Sequence, residues 1–117
     1  MIIVTGGSRG IGKSITEYLL KKGENVITLS RSKDENNPNH FSCDITDYES
    51  LKKVYNKLNS DKRTLKALIN CAGIASMNLA LTTPPDTIEK VIKTNLLGTI
   101  FCSQIFAPLL IRNKGGR

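Results

Sequence analysis

Residues Val4–Gly12 read VTGGSRGIG, with glycines at 6, 10 and 12 in the spacing T-G-x-x-x-G-x-G. Set between an apolar run and a helix-like run, this spacing suits one kind of chemistry: backbone that wraps a pyrophosphate. One glycine permits a tight turn, another lets the main chain come close to phosphate oxygens, and the last lets helix and strand pack tightly. The start of the following helix offers free N–H groups and a partial positive charge to the anion. A glycine turn without a ligand is the bland alternative, and the strand–loop–helix context argues against it. The spacing departs from G-x-x-x-x-G-K-S/T, which excludes a P-loop nucleoside triphosphatase.

About 20 residues past such a loop, a dinucleotide site that prefers NAD carries an acid at the end of its second strand. Here the strand ends TLSRS, so Ser30 and Arg31 occupy that place. A guanidinium grips a 2′-phosphate bidentately, and Arg9 in the glycine loop can reach the same group. NADP(H) is therefore expected over NAD(H). Asp34 or Glu35 would reverse that preference if the strand ran further.

The elements that must position these residues alternate. IIVT is a short β-branched run, and GKSITEYLLKKG has apolar Ile15, Tyr18 and Leu19 at helical spacing, closed by glycine. NVITLS predicts a second strand, KDENNPNH a polar loop and HFSCDI a third strand. TDYESLKKVYNKLNS predicts an amphipathic helix capped by Thr46 or Asp47, with Leu51, Val54, Tyr55 and Leu58 on its apolar face. LKALINCAG predicts a fourth strand, MNLALTTPPD a loop, and residues 87–112 one long helix. The alternation implies right-handed βαβ units and a parallel sheet covered on both faces. No repeat, low-complexity tract or linker divides the chain, and 117 residues make one domain at most.

Composition narrows the classes. Hydrophobic residues at 39% and charged residues at 23% fit a globular chain. The formal charge of +7 is spread along helical segments without interleaved aromatics, so a solvated basic surface is expected rather than a nucleic-acid partner. Cys43, Cys71 and Cys102 lie far apart and the chain has a single histidine, so no metal site is expected. The thiols read as reduced, which suits the cytoplasm. Met1 leads directly into IIVTGG without the pattern of a signal peptide. LLGTIFCSQIFAPLLI reads as too short and too polar to span a bilayer, so no membrane partner is expected.

Four motifs in order, TGGSRGIG, CDITD, NCAG and KTNLLG, resemble those of the short-chain dehydrogenase/reductase family, and they cover essentially the whole chain. The resemblance implies a Rossmann-type doubly wound parallel sheet with strands in the order 3-2-1-4. It implies cofactor contacts from Thr5, Gly6, Ser8, Arg9, Gly10, Ile11 and Gly12, with Ser30 and Arg31 at the ribose. Asp44 and Ile45 would hold the adenine, and Asn70, Ala72 and Gly73 form the counterpart of an N-N-A-G motif, in which Cys71 is a departure. Asn95 aligns with the family's catalytic helix asparagine, which helps hold a water for a proton relay. Asp44 also fits a plain turn residue ahead of the helix cap, and Asn95 a structural asparagine bonded to backbone.

The family resembles, in its chemistry, a carbonyl reductase in which a tyrosine donates a proton, a lysine four positions later lowers its pKa, and a serine polarises the carbonyl. The spacing Y-x-x-x-K occurs at Tyr18/Lys22 and Tyr48/Lys52, both too early in the order of elements to be that pair. The serine, tyrosine and lysine are therefore expected to be absent, with residues 1–117 forming the N-terminal part of a single NAD(P)-binding domain. The wording is most similar to 3-oxoacyl-acyl-carrier-protein reductases. That implies a small carbonyl or alcohol substrate, carried on acyl carrier protein, and a full-length parent that is a homo-oligomer. Two surfaces should then be left uncovered: the outer edge of the fourth strand, and apolar positions on the long helix.

Overall fold

The computed structural model describes residues 1–34 and 37–117. Strands β1 (Ile2–Thr5), β2 (Val26–Ser30), β3 (His40–Ser42) and β4 (Ala67–Asn70) form one parallel sheet in the order β3-β2-β1-β4. This is the doubly wound order expected of the sequence. Helices α1 (Gly10–Lys21) and α2 (Tyr48–Ser60) follow β1 and β3, and the chain after β4 runs through α3 (Pro85–Ile92) into α4 (Gly98–Arg112). Between α3 and α4, Lys93–Leu97 form a π-helical turn.

β1 and β2 are buried along both faces because each face has its own cover. Ile2, Val4 and Val26 pack with Ile15 and Leu19 of α1. Ile3, Ile27 and Leu29 face Leu51, Val54 and Leu58 of α2 and Cys102, Ile105, Phe106 and Leu109 of α4. Tyr18, expected on the packed face of α1, is 60% exposed. The buried line of α1 instead runs through Gly12 and Thr16. Thr16 donates its hydroxyl to the Gly12 carbonyl at 2.8 Å, so small residues let this helix lie close to the strands.

Helix ends follow local chemistry. Asp47 caps α2, accepting from the N–H groups of Glu49 and Ser50, both at 3.1 Å. Thr46, the other cap candidate, donates to Asp44 instead. α1 ends where Gly23, at φ +78°, turns left-handed and the N–H groups of Gly23 and Glu24 return to Leu20 and Leu19.

Two expectations about the last third need correction. LLGTIFCSQIFAPLLI belongs to a continuous helical run, Pro85–Arg112, that is long and apolar enough by length and composition to cross a membrane. Its Cys102, Ile105, Phe106 and Leu109 are packed in the core beneath the sheet. Its other side exposes Ile88, Ile92, Leu96 and Ile100, one row at four-residue spacing, as expected of this helix. The outer edge of β4 is not bare. Arg117 donates its N–H to Lys66 at 3.0 Å and accepts from the N–H of Leu68 at 2.8 Å, a parallel-ladder pair. Lys114, at φ +48°, turns the chain after α4 so that this contact is reached.

Replacing Asp47 by alanine should cost about 1 kcal/mol of stability. The readout is the urea midpoint, and Asp47→Ser, which restores a capping oxygen, should recover most of the loss.

Candidate functional site

The C-terminal ends of all four strands open on one cleft of about 520 Å³. It lies beside the place where strand order reverses between β1 and β4, the position at which open parallel sheets bind ligands. The turn after β1 supplies Gly6, Ser8, Arg9, Gly10, Ile11 and Gly12. The end of β2 and the turn after it supply Leu29, Ser30, Arg31 and Ser32, and the turn after β3 supplies Cys43, Asp44 and Ile45. Cys71, Ala72, Gly73 and Ile74 follow β4, and Thr94 comes from the π-helical turn.

The glycine loop is shaped by contacts that leave no room for a side chain. Gly6 takes φ +68°, and a Cβ there would stand 2.8 Å from the Cα of Ala72. A Cβ on Gly12 would stand 2.4 Å from the Gly6 carbonyl oxygen. α1 therefore closes on the end of β1 only with glycine at 12. Its first residues, Gly10 and Ile11, line the cleft, and no side chain caps the helix start at Arg9. The positive end of the helix dipole thus meets the cleft without a protein anion on it.

Below the floor, Thr5 is fully buried and its hydroxyl accepts from the N–H groups of Cys71 and Ala72, both at 3.1 Å. Thr5 does not line the cleft; it ties the β1 turn to the β4 turn. Asn70 also lies outside, its amide reaching toward the Ser103 hydroxyl at 3.5 Å. Asn95 makes a two-point clamp: its Oδ1 accepts from the Ile74 N–H at 2.9 Å, and its Nδ2 donates to the Ile74 carbonyl at 2.8 Å. The side chain is exposed rather than buried, and it fixes the loop that forms one wall.

Ser30 is the last residue of β2. Asp34 lines a separate, smaller cavity of about 390 Å³, and Glu35 lies outside the described residues. Asp44 accepts from both the N–H (2.9 Å) and the hydroxyl (2.8 Å) of Thr46. Burial alone would raise its carboxyl. The two Thr46 hydrogen bonds, with the charges of Arg31 and Lys93, outweigh that and hold it below the usual carboxylate range. Asp44 is thus a turn residue and a cleft residue at once.

Neither Y-x-x-x-K pair reaches the cleft. Lys22 Nζ lies over the Tyr18 ring at 5.6 Å, and Lys52 Nζ over the half-buried Tyr48 ring at 4.9 Å, both as cation–π packing. Tyr48 also meets Phe101 edge-on. Both buried thiols are held in the protonated form. Burial, with the neighbouring Cys43, pushes Cys102 up to about 12, and burial raises Cys43 as well, against a hydrogen bond from Ser50. The lining residues that sequence reasoning passed over are Leu29, Ser32, Cys43, Cys71, Ile74 and Thr94. All but Leu29 and Ile74 carry a polar side chain or thiol, and each stands beside a residue already singled out, so adjacency was the available signal.

The folded Asp44 carboxyl holds its proton less tightly than the ordinary value of 3.8. On acidification the unfolded chain therefore takes up that proton first. The stabilisation is complete above pH 3.8 and drains away as pH falls through the lower folded value. Asp44→Asn should flatten the acid limb of a stability-against-pH curve below pH 3.8, with little change in its slope near neutrality.

All 117 residues match the family model described as short chain dehydrogenase. Carbonyl reductase family member 4 of Danio rerio is 34% identical over 125 residues, covering 98% of this chain and 53% of that protein. A 3-oxoacyl-acyl-carrier-protein reductase of Vibrio harveyi is 29% identical, covering 98% and 51%. Among solved structures, a short chain dehydrogenase of Leptospira borgpetersenii with bound NAD+ superposes with a TM-score of 0.87 at 27% identity, covering 97% of this chain and 47% of that one. ElxO with NADP bound superposes at 0.85 and 30% identity, covering 98% and 52%. The chain spans about half the length of the curated relatives it matches.

Proposed function

The chain belongs to the short-chain dehydrogenase family, and on that footing we propose that its cleft binds NADP(H) in preference to NAD(H), as the cofactor-holding part of a carbonyl reductase. The carrying observation is the end of β2, where Arg31 lines the cleft and the strand's last residue is Ser30, not an acid. Arg31 and Arg9 take the 2′-phosphate. The N–H groups around Gly10 and Ile11 and the start of α1 take the pyrophosphate, with Ser8 beside them. Asp44 and Ile45 flank the adenine. Ala72 and Gly73 wall the path toward the nicotinamide, with Thr5, Asn70 and Asn95 supporting from outside the cleft. When bound, the nicotinamide supplies hydride. Asn95 holds the Ile74 loop in place, and through that loop the water of the proton relay.

The similarity to 3-oxoacyl-acyl-carrier-protein reductases supports a small carbonyl substrate, a 3-oxoacyl thioester on a carrier protein, and the three free cysteines support a reducing compartment such as the cytoplasm. No tyrosine or lysine lines the cleft among the described residues. On this reading the 117 residues by themselves bind cofactor without reducing a carbonyl. The same observation favours a second reading, a non-catalytic NADP(H)-binding module. Reductase activity appearing only when serine, tyrosine and lysine are supplied by further chain separates the two. The exposed row Ile88, Ile92, Leu96 and Ile100 supports self-association of the parent protein.

Calorimetry with both cofactors tests the first reading. NADPH should bind more tightly than NADH. Arg31→Ala should weaken NADPH about 10- to 100-fold, the scale of a lost charge-assisted hydrogen-bond pair, and leave NADH nearly unchanged. Equal affinities in the unmodified chain would refute it. Sedimentation velocity tests the second surface: association should grow with concentration, and Ile92→Glu should shift the chain toward monomer.

A further inference from the structure

The crossover from β2 to β3 is short. It occupies residues 31–39, and its described part carries no helix. Parallel crossovers usually need a dozen residues or more and a helix to satisfy their backbone. Among the described residues the turn that carries Arg31 has no helix behind it, and its carbonyls must find other donors.

Two side chains of β3 reach the carbonyls of Arg31 and Ser32, the latter also approached by the Ser30 hydroxyl at 3.5 Å. His40 and Ser42 project from the same face of the strand, at the register positions opposite Thr28 and Ser30. The Ser42 hydroxyl donates to the Arg31 carbonyl at 3.3 Å. His40 Nε2 lies 2.7 Å from the Ser32 carbonyl. A carbonyl only accepts, so Nε2 carries the proton, and in the neutral ring Nδ1 accepts from the Thr28 hydroxyl at 2.8 Å. Thr28 is 4% exposed and sits mid-strand, so the ring is anchored to the rigid sheet at one nitrogen and holds the turn with the other. His40 lines the smaller cavity behind the turn, and Arg31 lines the cleft in front of it.

We infer that His40 is a positioning residue for cofactor selectivity: it fixes the Arg31–Ser32 backbone so that the guanidinium faces the ribose end of the cleft. It touches no cofactor, and its effect runs through Arg31. This rests on the NADP(H) reading of Arg31.

The test is the ratio of NADPH to NADH affinity, measured by calorimetry on the full chain and its variants. His40→Gln can place an amide N–H where Nε2 stands and should keep the ratio within about twofold. His40→Asn can satisfy Thr28 but falls short of Ser32, and should lower the ratio at least about fivefold, mainly by weakening NADPH. In an Arg31→Ala background the same two variants should give equal ratios. A role in stability alone would weaken both cofactors together and leave the ratio unmoved. Ser42→Ala, which loosens the second tie, should lower the ratio about twofold and serves if the histidine variants fold poorly. If the unmodified chain prefers NADPH and neither His40→Asn nor Ser42→Ala changes the ratio, the inference is overturned while the cofactor reading stands. If the unmodified chain shows no preference, the cofactor reading falls, and the inference with it.

Discussion

Much of the structure rests on one close approach, that of Gly12 to the carbonyl of Gly6. With 2.4 Å between a Cβ at 12 and that oxygen, any side chain would push the start of α1 off the end of β1. The helix N-terminus would then no longer face the cleft, and the Gly6 turn would lose its contact with Ala72. Thr5 completes the joint by accepting two N–H groups from the β4 turn with one hydroxyl. β1 is thus fastened to both α1 and β4 at the same level, and a cleft between their ends is the geometric result. A fully buried threonine with both interactions satisfied also spares the floor an unpaired polar group.

The far wall is set by a different device. α3 and α4 would form a single regular helix but for the π-helical turn at Lys93–Leu97. The extra residue in that turn changes the angular phase of everything before it. α4 keeps its Cys102–Phe106–Leu109 face in the core, while Asn95 is brought round to the Ile74 loop and Thr94 to the cleft. Gly98, at the start of α4, allows the approach, since a Cβ there would stand 2.5 Å from the Ile45 side chain. Ile45 in turn lines the cleft, so helix packing and cleft shape meet in one residue.

This explains which features could be read from the residues and which could not. Strands such as IIVT and VITLS are apolar throughout because both faces are covered, and that pattern is local. The glycine spacing, Ser30 with Arg31, and Asp44 stand next to strand ends, so strand order alone brings them together. Asn95 is different. Its neighbours follow a helical period, and nothing in that period announces a π-helical turn, because the turn is stabilised by partners distant in sequence. Tyr18 misled for a related reason: α1 packs through Gly12, Ile15, Thr16 and Leu19, a line that leaves Tyr18 outside. Thr5 and Asn70 sit in the right motifs, but side-chain direction at a strand end depends on the neighbouring strand and helix. His40 was counted only as a lone histidine, since its partner carbonyl belongs to a turn whose path the sequence does not specify.

Charge distribution gives the last link between fold and ligand. The chain carries a net +7, and some of its cations are spent in surface pairs: Lys13 with Glu17, Lys52 with Glu49, Lys57 and Arg63 with Asp61, and Lys66 with Glu24. Such pairs contribute little to stability and nothing to the cleft. Arg9 and Arg31 form no ion pair among the described residues, although both line the cleft. Asp44 comes near enough to feel Arg31, but its hydrogen bonds go to Thr46, so it lowers the local potential without occupying the guanidinium. Among the described residues, two guanidiniums without an ion pair and a helix N-terminus without a side-chain cap therefore line the same 520 Å³ of space. An apolar or cationic ligand would leave all three uncompensated. A ligand with several phosphates, one of them at the β2 end, would satisfy each, which is the physical ground on which NADP(H) is proposed.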